Sequence, residues 1–363
     1  MSLKKLPIGF SSLKEIISAD CVYIDKTDFV AKLNQGKYYF LSRPRRFGKS
    51  LLIDTLYHAF RGHREWFSGL ALESQWNGLI KHPVVRFSFG GSSAYKSEET
   101  LTAIVRRTLK TTAERYEVRI EFSGVMGDDL VALVLGLYDK YQQKVVVLVD
   151  EYDKPILDVI DDAALAKQNR EILKSLYGGL KDLDDKLKMV FITGLSKFSQ
   201  VNLISGLNNL LDITLSKQYA DICGYTQFEL EVSFADRLEG VDKARLKRWY
   251  NGYHFNGTDE QKVYNPFDVL LFFSQDKQYR SYWFETATPS FLIKLLNKNH
   301  YYTPNLEAET VSESSLASFD VDSISLVNLA LQSGYLTIKR SFERLGRTWY
   351  QLTYPNFEVK TSF

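Results

Sequence analysis

The chain has 363 residues and only two cysteines, Cys21 and Cys223. They stand far apart and without metal-ligand spacing, which argues against a disulfide framework or a zinc site and suits a reducing cytoplasm. No apolar run approaches the ~18 residues of a membrane span. No apolar stretch follows Lys4 and Lys5, as a secretory signal would require. A charge excess of one sign is also missing. Lys and Arg number 46 against 44 Asp and Glu, a net charge of +2, so any basic surface for nucleic acid must be local. Internal repeats and low-complexity segments do not stand out. These absences point to a cytoplasmic globular protein with no membrane partner.

What is present is aromatic bulk, 14% of residues, in a chain long enough for two or three domains. The most informative stretch is Leu41-Ser42-Arg43-Pro44-Arg45-Arg46-Phe47-Gly48-Lys49-Ser50. The run Tyr38–Leu41 before it reads as a short buried strand, and Leu51–Phe60 after it has helical spacing of apolar residues. Strand, Gly-Lys-Ser loop and helix is the phosphate-binding loop arrangement, Walker A. Gly48 lets the backbone approach a phosphate, and the amides at the helix start point at the anion. Lys49 is expected to neutralise the β- and γ-phosphates and Ser50 to ligand Mg²⁺. Arg45, Arg46, Phe47, Gly48, Lys49, Ser50 and Leu51 are the expected nucleotide-binding residues. Arg43 stands where the general pattern Gly-x-x-x-x-Gly-Lys-Ser/Thr has its first glycine, so alone the segment also reads as a basic loop before a helix.

Two later runs support the nucleotide reading. Lys144–Val149 is an unbroken apolar run ending in Asp150 and Glu151, as in a fully buried parallel strand with acids at its C-terminal end. This is the Walker B pattern: Asp150 holds the Mg²⁺ shell and Glu151 polarises the attacking water. The plainer alternative is a core strand capped by solvated acids. Lys188–Thr193 is a third buried strand with a polar end, where Thr193, or next Ser196, is expected to sense the γ-phosphate. Val84–Phe89 reads as a further strand, Glu98–Tyr116, Asp129–Tyr141 and Asp161–Leu187 as helical, and Asp28–Leu33 as a helix capped by Thr27. Tyr23, Asp25 and Lys26 are candidates for closing over the base, or simply a surface turn. The fold class expected is α/β: a P-loop NTPase with a mostly parallel sheet, followed by α-rich and winged-helix-like C-terminal regions.

Tyr23–Thr27, Ser42–Ser50, Val149–Asp153, Ile192–Ser199, Trp249-Tyr250-Asn251-Gly252-Tyr253 and Tyr264-Asn265-Pro266-Phe267 together resemble the bacterial AAA-ATPase-like family. The Pro44–Lys49 core also resembles archaeal-type ATPases of the STAND group. The resemblance runs over essentially the whole chain. It implies a Mg²⁺-dependent ATPase or ATP-binding switch that regulates a linked PD-(D/E)XK nuclease-like domain, which is expected beyond Val359–Phe363, where the chain stops in structured-looking sequence.

In the C-terminal half, Arg245–Phe255 is basic and aromatic. It could hold nucleic acid by charge and stacking, but an amphipathic helix ending at Gly252 with its rings in a core is the favoured reading. Helices are also expected over Phe267–Phe273, Phe291–Asn297 and Ser323–Gln332, the last stopped by Gly334. Tyr335–Lys339 and Thr348–Thr353 read as two strands around a turn at Gly346. Helix plus hairpin predicts a winged-helix module that contacts DNA or packs on the nucleotide. The expected division is 1–226 P-loop domain, 227–318 helical region and 319–363 winged-helix-like region, with Ser312–Ser318 as the most linker-like stretch. Homo-oligomers are an open expectation. The alternative function is a non-hydrolysing nucleic-acid-binding scaffold.

Overall fold

In a computed structural model of the chain, the described residues are 3–76, 81–91, 95–197, 209–256, 258, 261–287, 309–316 and 325–362. The expected helix Phe291–Asn297 lies outside them. Among the described residues no helix is long and apolar enough to cross a membrane.

The α/β architecture expected from the buried runs is present. Strands β1 (Tyr38–Ser42), β2 (Val84–Ser88), β3 (Val145–Asp150), β4 (Leu187–Gly194) and the short β5 (Leu211–Asp212) form one sheet in the order β2-β3-β4-β1-β5. Every pairing in it is parallel. Side chains alternate across a strand, so each run feeds two cores. Phe40, Val147, Val149 and Ile192 enter one cluster; Leu41, Val146, Leu148 and Phe191 enter the other. Burial on both faces is why these strands read as continuous apolar runs.

Helices cover both faces. Helix α1 (Leu13–Ser18), α2 (Asp28–Leu33) and α3 (Lys49–Phe60) belong to the second cluster. After the single turn α4 (Ala71–Ser74), helices α5 (Glu98–Arg115) and α6 (Met126–Tyr141) pack in the first, followed by the turn α7 (Lys154–Leu157) and α8 (Ala163–Gly178). Ser97 and Asp162 cap α5 and α8 with their side chains, as small polar N-caps do. Thr27 occupies the N-cap position of α2 without capping it, because its hydroxyl accepts from the Leu72 amide instead.

Beyond the sheet, β6 (Tyr225–Thr226) and β7 (Val263–Tyr264) pair antiparallel. Helices α9 (Gln227–Ser233), α10 (Lys243–Tyr250) and α11 (Pro266–Ser274) enclose a third core. Thr226 and Glu229 form a capping box, and Asn265 caps α11 with Pro266 in its first turn. Helix α12 (Tyr282–Ala287) follows. Strand β8 (Thr310–Ser312) and the turn α13 (Glu313–Leu316) occupy the stretch that reads as a linker; β8 pairs with β10. Helix α14 (Leu326–Ser333) stops at left-handed Gly334 as expected. The hairpin β9 (Thr337–Arg344) and β10 (Arg347–Thr353) and the final helix α15 (Phe357–Ser362) complete the fold. Leu329, Tyr335, Tyr350 and Val359 join the same cluster as one face of the parallel sheet, so the C-terminal elements are packed into that core.

Candidate functional site

The C-terminal ends of β1, β4 and β3 lie side by side: Ser42 is in register with Gly194, and Ile192 with Val149. Ligands of open parallel sheets bind at this edge. The chain leaves β1 through the Arg-Pro-Arg-Arg-Phe-Gly loop and enters α3 at Lys49. Arg46 (φ 66°) and Gly48 (φ 93°) are both left-handed, and a turn of alternating hand turns backbone N–H groups inward as an anion-binding nest.

A cleft of about 530 Å³ opens over this loop. Its floor is Arg45–Leu52, and its walls include Phe10, Tyr23, Lys26, Glu151, Tyr225 and Phe267. All seven residues expected to bind nucleotide therefore line it, although the Phe47 ring itself is buried against Tyr253 at 4.8 Å. Lys49 is 6% exposed, and its Nζ donates to the carbonyls of Arg43 and Pro44 at 2.9 Å each. Burial pulls its pKa down, while Glu151, Asp150 and Asp153 push it up. Arg45, Arg46 and Lys49 have no ion-pair partner among the described residues. Arg46 stacks on Phe267, 4.7 Å from the ring centre.

Across the cleft, Glu151 sits in a left-handed conformation (φ 55°) just after β3. Burial raises its carboxyl pKa above the usual range, opposed by Lys49 and reinforced by Asp150 and Asp153. Gly90 packs directly against this carboxyl: a Cβ there would stand 2.9 Å from Glu151 Oε2, so the carboxyl would have to move. Asp150 is 3% exposed, and its Oδ1 accepts from the Thr193 hydroxyl at 3.1 Å. Ser50 and Asp150 offer the hard oxygen donors that a Mg²⁺ ion takes. Ser50 lines the cleft, whereas Asp150 lies buried just behind it with one oxygen held by Thr193.

The polar residues at and after the end of β4 are held by protein partners. Thr193 is fully buried behind Asp150. Ser196 donates to Asp153, which also accepts from the Leu195 and Ser196 amides. That ties the β3 and β4 ends together and leaves Asp153 1% exposed. Lys197 pairs with Asp212. Tyr23 and Lys26 do reach the cleft, with Lys26 paired to Glu229. Asp25 instead accepts from the Thr27 and Ala71 amides.

Arg43 explains the departure from the general loop pattern. Its guanidinium is fully buried and donates to the carbonyls of Ser42, Thr214 and Tyr219 at 2.9, 2.7 and 2.9 Å. It lies 3.9 Å over the Phe255 ring, and Arg43 is not among the residues that line the cleft. The C-terminal half grips the same loop. Trp283 Nε1 donates to the Arg45 carbonyl at 3.2 Å, and Gly334 lies so close to Pro44 that a Cβ would approach its ring to 2.8 Å. The Asn-Gly-Tyr motif is core, as favoured: Tyr250 and Tyr253 are buried, and Gly252 (φ 121°) touches the Pro355 carbonyl where a Cβ would stand. Sequence reasoning missed Gly90, whose signal was the Gly-Gly pair closing β2, and the role of Arg43, which had no local signal.

A family model described as predicted AAA-ATPase matches residues 7–204. The chain is also similar to an "Uncharacterized protein in vnfD 5'region" from Azotobacter chroococcum mcd 1. The two are 42% identical over 371 residues, covering all of this chain and 69% of that protein.

Proposed function

Because the chain belongs to the AAA-ATPase-like family, we propose that it is a Mg²⁺-dependent ATP-binding switch whose hydrolytic step uses Glu151. The observation that carries this reading is the group of three cations with no ion pair among the described residues, Arg45, Arg46 and Lys49, around a nest of left-handed backbone at the floor of the cleft. Lys49 is buried, Arg45 half-buried and Arg46 exposed; a buried cation without a counter-charge is costly to fold, and a polyphosphate would match all three. The cleft volume suits a nucleotide, and Phe10, Tyr23 and Tyr225 supply aromatic walls for a base.

In this reading Lys49 exchanges the carbonyls of Arg43 and Pro44 for the β- and γ-phosphate oxygens. Ser50 and Asp150 hold the metal, which supplies charge neutralisation at the phosphates. Thr193 acts through Asp150 by fixing which carboxylate oxygen is free. Glu151 accepts the proton of the attacking water, and the burial that raises its carboxyl pKa makes it a stronger base than a free carboxylate. Pro44 and Arg45 are held by Gly334 and Trp283, so a change in the loop on hydrolysis would be felt in the C-terminal half. We assign to that coupling the control of a further linked domain of the nuclease-like kind that the family resemblance implies. The matched relative extends beyond the aligned region, which is compatible with such a domain.

The test is thermal and denaturant stability with and without Mg-ATP, beside Lys49→Ala. Ligand at 100 times its Kd should add about 2.7 kcal/mol to the native state. Stabilisation in the wild type that vanishes in Lys49→Ala supports the reading. Unchanged ATP affinity in the variant overturns the site.

A further inference from the structure

The hairpin formed by β9 and β10 carries features that folding alone does not favour. Arg344 and Arg347 stand directly opposite each other across the strands, although like charges in that position destabilise a sheet. Between them the two-residue turn Leu345-Gly346 has both φ angles positive, 52° and 69°. The first position of such a turn favours Asn, Asp or Gly. Here it holds a leucine, 95% exposed.

The pairing register puts Arg340, Phe342, Arg344, Arg347, Trp349 and Gln351 on one face. The other face sends Tyr350 inward, 1% exposed, so the arginine face is the outer one. Arg344 lies 5.8 Å from the Trp349 ring centre and Arg340 6.0 Å from that of Phe342. Arg340 bonds the Gln351 side chain, and the three arginines have no ion-pair partner among the described residues. Glu343 points to the opposite side of the ribbon.

From this we propose that the β9–β10 tip is a binding site for duplex DNA, entering the minor groove. Two arginines whose Cβ atoms stand about 5 Å apart across a strand pair are narrow enough together to enter a groove roughly 6 Å wide. Arginines in that groove meet its negative potential, and an exposed leucine between them has the position of an apolar wedge at a base step. The charge complementarity is to phosphate on both sides of a narrow cleft. A bilayer is the poorer match, because a single leucine provides little apolar area for insertion. The site lies on the hairpin and does not depend on the nucleotide cleft.

The experiment is fluorescence anisotropy of a labelled A/T-rich 24-base-pair duplex with the full chain, in the absence of nucleotide, across a salt series. The expected result is saturable binding by the wild type that weakens with salt. The double variant Arg344→Gln/Arg347→Gln should lose roughly tenfold or more in affinity and flatten the log–log salt slope by about 2. Leu345→Asn should bind more weakly with an unchanged slope, while its melting temperature stays level or rises, because Asn suits the left-handed turn. Those opposed signs separate a contact residue from a structural one. The proposal is overturned if the wild type shows no saturable duplex binding at low salt, or if the double variant matches the wild type. It is also overturned if a 24-nucleotide single strand or phosphatidylserine-containing vesicles bind more tightly than the duplex.

Discussion

Replacing Arg43 with glycine would bring the loop to the general Gly-x-x-x-x-Gly-Lys-Ser pattern, so sequence comparison alone makes Arg43→Gly a repair. The structure reverses the sign. The guanidinium donates three hydrogen bonds to buried or half-buried carbonyls. Hydrogen bonds to a charged group contribute about 1.5–3 kcal/mol each, or roughly 4–9 kcal/mol for three. Against this stands the desolvation of the guanidinium, which pulls its pKa from 12.5 to about 10. That depression corresponds to about 3 kcal/mol. Stacking on Phe255 adds about 1 kcal/mol. The balance is a loss of roughly 2–7 kcal/mol in Arg43→Gly, with the carbonyls of Ser42, Thr214 and Tyr219 left without their donor. Arg43→Lys should recover little of it, since an ammonium cannot span the fork that reaches both Thr214 and Tyr219. Urea denaturation followed by tryptophan fluorescence measures this directly. A glycine variant with a midpoint at or above that of the wild type would refute the assignment of Arg43 as the tie between β1 and the segment after β5.

Two further outcomes are expected at the cleft. Glu151→Gln should retain Mg-ATP affinity and lose turnover by about 10²–10⁴. Because the Glu151 carboxyl is raised above its ordinary 4.5 by burial and a base works only when ionised, wild-type turnover should fall as pH drops through that raised value. A pH–rate profile flat down to the ordinary carboxylate range would count against it. Gly90→Ala should push the Glu151 carboxyl out of place, since the new Cβ meets Oε2 at 2.9 Å and Cδ at 3.0 Å. Turnover should drop by about 10²-fold with ATP affinity and stability nearly unchanged, and unaltered turnover would mean that the carboxyl position is not critical.

The parts of the fold legible in the sequence were those written locally. Val145–Val149 and Met189–Ile192 are buried on both faces and so appear as unbroken apolar runs, and Gly48-Lys49-Ser50 marks the turn from β1 into α3. Gly334 signalled the end of α14 through its left-handed conformation. What stayed hidden depends on partners far away in the chain. Thr193 sits at the end of β4 as expected, but whether it faces a phosphate or Asp150 is decided by a strand more than 40 residues earlier. Arg43 looked like a phosphate-loop irregularity because its acceptors lie 171 and 176 residues downstream. Strand β5, two residues long, is too short to carry any period. The stretch around Ser312 looked like a linker because its serines are polar, yet Val311 just before them is buried and pairs with Tyr350, and Leu316 among them is buried as well.

The grip of Trp283 on the Arg45 carbonyl joins residues 238 positions apart, which sets a timetable for the newborn chain. At about 5–20 residues per second, the ribosome delivers Trp283 roughly 10–50 seconds after Arg45. Throughout that interval β1 and α3 exist without the indole and without the close packing of Gly334 on Pro44. A nascent or prematurely terminated polypeptide thus carries the Gly-Lys-Ser signature but not the shaped loop. Synthesis itself delays the shaping of this loop until the C-terminal half has emerged.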